Sequence, residues 1–419
     1  MTKDNSNTRT PIIRFQGFNG EWKKKKIGDI AIVLQGYGFP EKYQGQKYGD
    51  LPFCKVGDIS SAVDRGEMVI NKADNFVDYS LLPVLHARPI PVGSTIFAKI
   101  GEAIRSNKRI RTGVPCLIDN NAAAVKSKGE ISDTFLFYLM SKVNLADYSG
   151  GIVPSVNKST IEAIDVLVPS SRNEQQKIAE CLEAIDQMIS AQNQKVESLK
   201  THKKGLIQQL FPQPGATTPA LRFPGFTGKW QEKKLNKVFS RVTRKNAENN
   251  QNVLTISAQY GLISQLEFFK KSVASSDVTG YYLLHRGEFA YNKSSSQGRP
   301  VGAIKPLRLY DKGVVSTLYI CFKCNNPEEI DFWEQYFDAG ILDSEILSIA
   351  QEGARNHGLL NISTGDFFGL NVILPTPPEM KKIAECLSSF DDVITAAENE
   401  LDSLKAHKKG LMQQLFPQL

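Results

Sequence analysis

The groupings that could carry metal or catalytic chemistry are few, and each fails a test of spacing. Cys321 and Cys324 form one CxxC, but they sit in LYICFKC, an apolar stretch that reads as a strand. No second pair completes the four ligands of a tetrahedral zinc site. The other cysteines, at 54, 116, 181 and 386, lack the spacing of a disulfide framework and are read as reduced. Cys181 and Cys386 are expected to behave as small buried hydrophobes. His202 and His407 stand alone beside lysines and are read as solvated. Glu379, Met380 and Lys381 could imitate the end of a nuclease metal motif, with no matched acid upstream. NPPY-like, FxGxG, GxxxxGK[ST] and HExxH signatures are absent, so a self-sufficient DNA methyltransferase or nuclease is disfavoured.

A different chemistry is suggested by basic, amide-rich stretches. Residues 99–111 hold Lys99, Arg105, Lys108, Arg109 and Arg111 against one acid, Glu102. Residues 286–312 hold Arg286, Lys293, Arg299, Lys305, Arg308 and Lys312 against Glu288 and Asp311. The net charge of +7 over 419 residues is modest for a nucleic-acid binder, so local density matters more than the average. The length suggests two or three domains, and no run reaches the roughly 18 apolar residues of a membrane helix. The N-terminus lacks the apolar core of a signal peptide, and a cytoplasmic location without membrane association is expected.

An internal repeat must position these stretches. RFQGFNGEWKKKKI at 14–27 returns as RFPGFTGKWQEKKL at 222–235, an offset of 208 that places Trp22 on Trp230. KIAECL at 177–182 returns at 382–387, and KKGLIQQLFPQ at 203–213 returns as KKGLMQQLFPQ at 408–418, both offset by 205. The centres of the two copies hardly resemble each other. A duplicated frame around dissimilar centres implies one shared job for the frame and two versions of a related job for the centres. Trp22 and Trp230 are read as packing anchors, and Lys23 to Lys26 as phosphate contacts or a solvated face.

Both copies end in a long amphipathic helix. Ile178, Leu182, Ile185, Ile189, Gln192, Val196, Leu199, Lys203, Leu206 and Leu210 follow one another by alternating steps of four and three, a heptad seam. Ile383, Leu387, Phe390, Ile394, Ala397, Leu401, Leu404, Lys408, Leu411 and Leu415 repeat it in the same register. Prolines 169 and 375 precede the helices and prolines 212 and 417 follow them. The simplest partner for each seam is the other, giving an intramolecular antiparallel coiled coil with pseudo-two-fold symmetry. Some 33 residues at 1.5 Å each make a ruler of roughly 50 Å, the scale of one DNA turn. Gly205 and Gly410 imply either close approach of a partner helix or subunit, or an early helix break before a separate QQLF turn.

The tandem RFxGFxGxW segments, the passage from LVPSSRNEQQKIA and its echo LPTPPEMKKIA into a long helix, and the repeated helix itself resemble the DNA-specificity (S) subunit of type I restriction–modification systems over nearly the full chain. The resemblance implies an α+β chain with two mixed α/β target-recognition domains joined by the two antiparallel helices. Its parts would be an opening segment 1–27, recognition domain 28–170, spacer helix 171–213, linker and repeated segment 214–235, recognition domain 236–376 and spacer helix 377–419. It further implies a non-catalytic subunit that reads a bipartite, asymmetric site in double-stranded DNA. Such a subunit would bind two methylation (M) subunits, which hold S-adenosylmethionine, and through them the restriction (R) subunits; this chain itself would bind no cofactor and no metal.

On that reading the expected DNA contacts are Lys55 in PFCKVGDI, Arg105, Asn107, Lys108, Arg109 and Arg111 in the first centre, and Gln259 and Tyr260 in VLTISAQYG. Lys293, Ser295, Gln297 and Arg299 follow in KSSSQGRPVG, and Arg355, Asn356 and His357 in QEGARNHGLL, whose place in the first copy is taken by GGIVPSVNKS at 150–159. Lysine and serine suit phosphates, while arginine, glutamine and asparagine can pair with base edges. The alternative is a coiled-coil adaptor that holds proteins without touching DNA; it explains the helices but not the basic loops at matched places.

Overall fold

A computed structural model describes residues 9–257, 260–270, 277–294, 300–350, 358 and 360–417. In chain order the first half builds β1 (Lys23–Lys26), α1 (Ile27–Ile30), β2 (Ala31–Gln35), β3 (Leu51–Cys54), α2 (Val56–Asp64), β4 (Val69–Ile70), β5 (Phe76–Val77), β6 (Thr95–Ala98), β7 (Arg109–Thr112), β8 (Leu117–Ile118), β9 (Ala122–Ser127), α3 (Asp133–Lys142), α4 (Lys158–Ala163), β10 (Asp165–Val168) and α5 (Arg172–Leu210). The second half builds β11 (Gln231–Lys234), α6 (Leu235–Val238), β12 (Phe239–Arg241), β13 (Leu254–Ser257), β14 (Gly261–Ser264), α7 (Gln265–Phe269), β15 (Tyr282–His285), β16 (Phe289–Asn292), β17 (Ala303–Pro306), β18 (Lys312–Val315), β19 (Ile320–Cys324), α8 (Ile330–Asp338), α9 (Asp343–Ile349), α10 (Thr364–Gly369), β20 (Asn371–Leu374) and α11 (Pro377–Leu415). No helix among the described residues is long and apolar enough to cross a membrane.

The chain divides into two compact units whose boundaries fall inside both long helices. One unit combines residues 1–197 with 396–419, the other takes residues 198–395. Each therefore owns the start of one long helix and the end of the other. In the first unit β2, β9, β6, β7 and β4 form a five-stranded mixed sheet, and β5, β3 and β8 a smaller one. In the second, β12, β19, β16 and β17 form a four-stranded antiparallel sheet, with β13–β14 and β15–β18 as separate pairs. One motif recurs in both units: the strand after the conserved tryptophan pairs antiparallel with the strand before the long helix, β1 with β10 and β11 with β20. The lysine run is thus a strand, with Lys24 bonded to Asp165 at 2.9 Å and Lys25 to Glu130.

The frame closes around each tryptophan. Trp22 is 1% exposed, meets the Phe416 ring edge-on at 5.8 Å, and shares a core with Ile178, Leu182, Met412 and Leu415. Trp230 meets Phe211 edge-on at 6.2 Å in a core that includes Leu210, Met380, Ile383 and Leu387. Offsets of 208 for the tryptophans and 205 for the phenylalanines relate the two contacts. Beside each, an arginine grips a glutamate from the first turn of the long helix: Arg14 to Glu174 at 2.7 and 2.8 Å, Arg222 to Glu379 at 2.7 and 2.7 Å. Both glutamates are buried, so the pairing and its two parallel hydrogen bonds are what make their burial tolerable. Glu379 accordingly belongs to a structural clamp rather than to a metal motif. Main-chain bonds complete the match: Ile12 and Ile13 N–H donate to Gln414 O, and Leu221 N–H donates to Gln209 O.

The long helices each run 39 residues, about 58 Å at 1.5 Å per residue. They begin and end inside the flanking prolines. In the first unit Asp186 meets Lys408 at 2.6 Å and the buried Gln192 amide donates to Ala397 O at 2.9 Å, so residue numbers rise along α5 as they fall along α11. In the second unit Lys203 meets Asp391 at 2.6 Å and His202 lies edge-on to Phe390 at 5.3 Å. The helices therefore pack antiparallel within each unit. Of the seam residues, Ile178, Leu182, Ile185, Val196, Ile383, Leu387, Ile394 and Leu401 are buried, while Ile189, Leu199, Phe390 and Leu404 are partly buried. At Gly205 and Gly410 the helix break and the close approach of a helix of this chain are overturned. Both lie inside unbroken helix, and a side chain at either would meet nothing within 4 Å, so neither a helix break nor close packing within the chain accounts for them.

Candidate nucleic-acid interface

Strand periodicity redistributes the basic residues of the first centre. Only 102–108 forms a turn: Glu102–Ser106 is a short 3-10 helix, and Asn107 caps it in the left-handed region at φ 50°. Arg105 is exposed and pairs with Glu102 at 3.0 Å, and Lys108 reaches Asp64 at 2.7 Å. Arg109 and Arg111 lie on β7, where alternation sends both to one face while Ile110 enters the core on the other. Arg109 is 7% exposed, stacks over Phe97 at 4.8 Å, and donates to Asn107 Oδ1 at 2.7 Å and to the carbonyls of Lys108 and Val143. Burial lowers its pKa, because desolvation disfavours the charged form. Arg111 donates to Thr134 Oγ1 at 2.7 Å and to Glu183 at 2.5 Å, tying β7 to α3 and α5. Both arginines are thus engaged by partners within the first unit, unlike the exposed Arg105.

Lys55 caps α2 through its N–H, which donates to Asp58 at 2.7 Å, and its ammonium reaches Gln44 at 2.5 Å, 5.6 Å from the Phe39 ring centre. Of the second-centre residues, Tyr260 is exposed and Lys293 is half-buried, with its ammonium donating to Ile362 O at 3.3 Å. Gln259, Ser295, Gln297, Arg299, Arg355, Asn356 and His357 lie outside the described residues.

The charge excess counted along 286–312 is offset in space. Arg286 pairs with Asp311 at 2.9 Å, Lys312 with Glu248 at 2.7 Å, Lys305 with Asp338 at 2.5 Å, and Arg308 with both Asp331 and Glu334. Most of these acids lie on α8 or before β13, outside the sequence window. Burial pushes the Glu334 carboxyl up, with Arg308 and Lys305 opposing the shift. A linear count of charge therefore overstates the positive potential here.

No group of three or more potential metal ligands occurs among the described residues. Burial pushes the Cys321 thiol up to about 12 and Cys324 up to about 11, the reverse of what thiolate ligands require. Cys181 and Cys386 are only partly buried. Residue-type reasoning missed the exposed aliphatic tip at Ile152 and Val153, although GGIV, two glycines before branched apolar residues in a loop, carried a signal. It also missed the Arg14–Glu174 and Arg222–Glu379 clamps.

Residues 19–201 match the type I restriction modification DNA specificity domain. A 204-residue stretch is 25% identical to the type I restriction enzyme MjaIX specificity subunit of Methanocaldococcus jannaschii; it takes in 46% of this chain and 44% of that protein, so the match spans less than half of its length. The fold is similar to that of the type I restriction–modification S subunit from M. genitalium, with TM-score 0.56 and 12% identity over 98% of this chain and 100% of that one. It is also similar to a chain from a study of complex assembly and conformational transition in the type I R-M system, with TM-score 0.51 and 14% identity over 94% and 97%. The domain match therefore covers somewhat under half of the chain, and the fold over nearly its whole length is similar to that of type I restriction–modification S subunits.

Proposed function

We propose that this chain reads a split, asymmetric sequence in double-stranded DNA, each centre reading one half. It performs no chemistry on the DNA itself. The observation that carries the reading is the contrast between frame and centre. The tryptophan contact, the arginine–glutamate clamp, the strand-to-helix ribbon and a four-stranded antiparallel order (β2-β9-β6-β7 and β12-β19-β16-β17) recur, whereas the sequences of the centres and the smaller sheets around that common one differ. A protein that only held other proteins together would gain nothing from two dissimilar centres in matched frames.

The frame supplies docking surfaces for two methylation subunits, which carry S-adenosylmethionine, and through them for restriction subunits. Transfer of the methyl group and DNA cleavage belong to those partners. Spacing between the half-sites is assigned to the paired helices. Mapping methylated adenines across the genome, with and without this chain and with partners expressed, tests the proposal. One split motif should vanish with the chain, and an unchanged map would contradict it. The adaptor alternative is separated by titrating the chain, with its methylation partner, against random duplex at several salt concentrations. Phosphate contacts must weaken steeply as salt rises.

A further inference from the structure

The turn at 150–155 in the first centre presents apolar side chains that nothing in its unit covers. Ile152 is fully exposed, at 105% of its reference area, and Val153 is 60% exposed. Two branched aliphatic residues at a tip lose hydrophobic stabilisation by remaining in water, and such exposure calls for a partner. The tip is nevertheless held by main-chain hydrogen bonds. Gly150 and Ser155 exchange bonds at 3.3 and 3.2 Å, and Gly151 takes φ 91°, which a side chain would strain.

The base of this turn is joined to the basic segment of the same centre. Gly101 N–H donates to Pro154 O at 2.8 Å, and Val156 N–H donates to Lys99 O at 2.9 Å. Gly101 immediately precedes the short helix that carries the exposed Arg105 and ends at Asn107. The apolar tip and the turn that carries Arg105 are thus parts of one assembly. In the second copy the matching place is filled by QEGARNHGLL, a basic and amide-rich stretch.

We propose that Ile152 and Val153 are base-reading residues for the first half-site, making apolar contact with the C5-methyl group of thymine in the major groove while Arg105 and its neighbours engage phosphates. The inference rests on the DNA-reading role proposed above and adds a particular ligand group to it. Thymine differs from every other base on its major-groove edge by that methyl group, and aliphatic side chains discriminate it by contact alone. Arg105 beside the tip lies in a solvent-exposed pair with Glu102, weak enough for a phosphate to compete for the guanidinium, which favours DNA over a protein partner as the occupant.

The test uses the full chain with its methylation partner and the split motif found by methylation mapping. Duplexes carry deoxyuridine in place of each thymidine of the motif in turn, which deletes one methyl group and leaves base pairing intact. One substitution in the half-site read by the first centre should weaken wild-type binding severalfold. The double variant Ile152→Ser, Val153→Ser should bind the unmodified duplex correspondingly less and be indifferent to that same substitution. Its binding to random duplex and its assembly with the methylation subunit should be unchanged. The inference is overturned if every thymidine substitution affects wild type and variant alike, or if that half-site contains no thymine. It is equally overturned if the variant fails to assemble with the methylation subunit, since the tip would then face protein. Absence of any split motif for wild type would instead refute the DNA-reading role itself.

Discussion

The two units solve one attachment problem with different side chains. In the first, Tyr138 on α3 donates to Asp186 of α5 at 2.8 Å, and Asp186 also holds Lys408 of α11. In the second, Gln335 on α8 donates to Asp391 of α11 at 2.8 Å, and Asp391 also holds Lys203 of α5. The aspartate–lysine pairs belong to the duplicated frame and sit at the 205-residue offset. The group that reaches them comes from the centre and differs. A new centre therefore need not copy another's sequence; it needs an apolar face and one hydrogen-bond donor placed over a fixed aspartate. The centres can diverge while the frame stays put.

That comparison can be strained in order of effect. Removing a clamp should cost most: Glu174→Ala strands Arg14 and the Trp22 indole N–H, which lies 3.2 Å from the same carboxylate. A loss of about 3 kcal/mol is expected in denaturant unfolding, and Glu379→Ala should lose a similar amount. A difference between them of more than about 2 kcal/mol would break the equivalence of the two frames. Arg109→Ala should lower stability by about 2–3 kcal/mol through lost packing and hydrogen bonds. Arg105→Ala should leave stability within about 0.5 kcal/mol and make the salt dependence of DNA binding shallower by about one unit of slope. The opposite pattern would put Arg109 on the DNA surface.

Smaller effects sharpen the contrast. Asp186→Asn should cost about 1–2 kcal/mol and Asp391→Asn less than about 1 kcal/mol, because the Asp186 side chain is 15% exposed and Asp391 45%. Tyr138→Phe should cost about 1 kcal/mol, the net worth of one hydrogen bond. Gln192→Leu at the seam should be neutral or stabilise by about 0.5–1 kcal/mol, since a polar side chain in a coiled-coil seam fixes pairing at a cost in stability. Thermal melts of the four variants beside wild type check the ranking.

Much of the frame was legible because its signals are local or repeated. The seam needs only a four-three count, and two recurring tryptophans with flanking phenylalanines announce a packed anchor. The clamps were less visible, since Arg14 and Glu174 stand 160 residues apart. Even so, both partners recur at the 208 and 205 offsets, and that coincidence could have revealed them. In the centres, charge was counted along the chain whereas strands segregate it by alternation. Arg109 and Arg111 turned inward for this reason, and Lys305, Arg308 and Lys312 found acids that only folding brings near. The Ile152–Val153 tip escaped because apolar residues in a loop resemble a strand until their exposure is known.

The central claim is that the frame is constant and the centres choose the DNA. The most direct measurement replaces residues 28–170 with the corresponding centre of another specificity subunit whose split motif is known, leaving both long helices intact, and maps methylated adenines in cells expressing the methylation partner. One half of the motif should change to the donor's, with the other half and the spacing between them unchanged. A motif altered in both halves, or unaltered in either, would contradict the account.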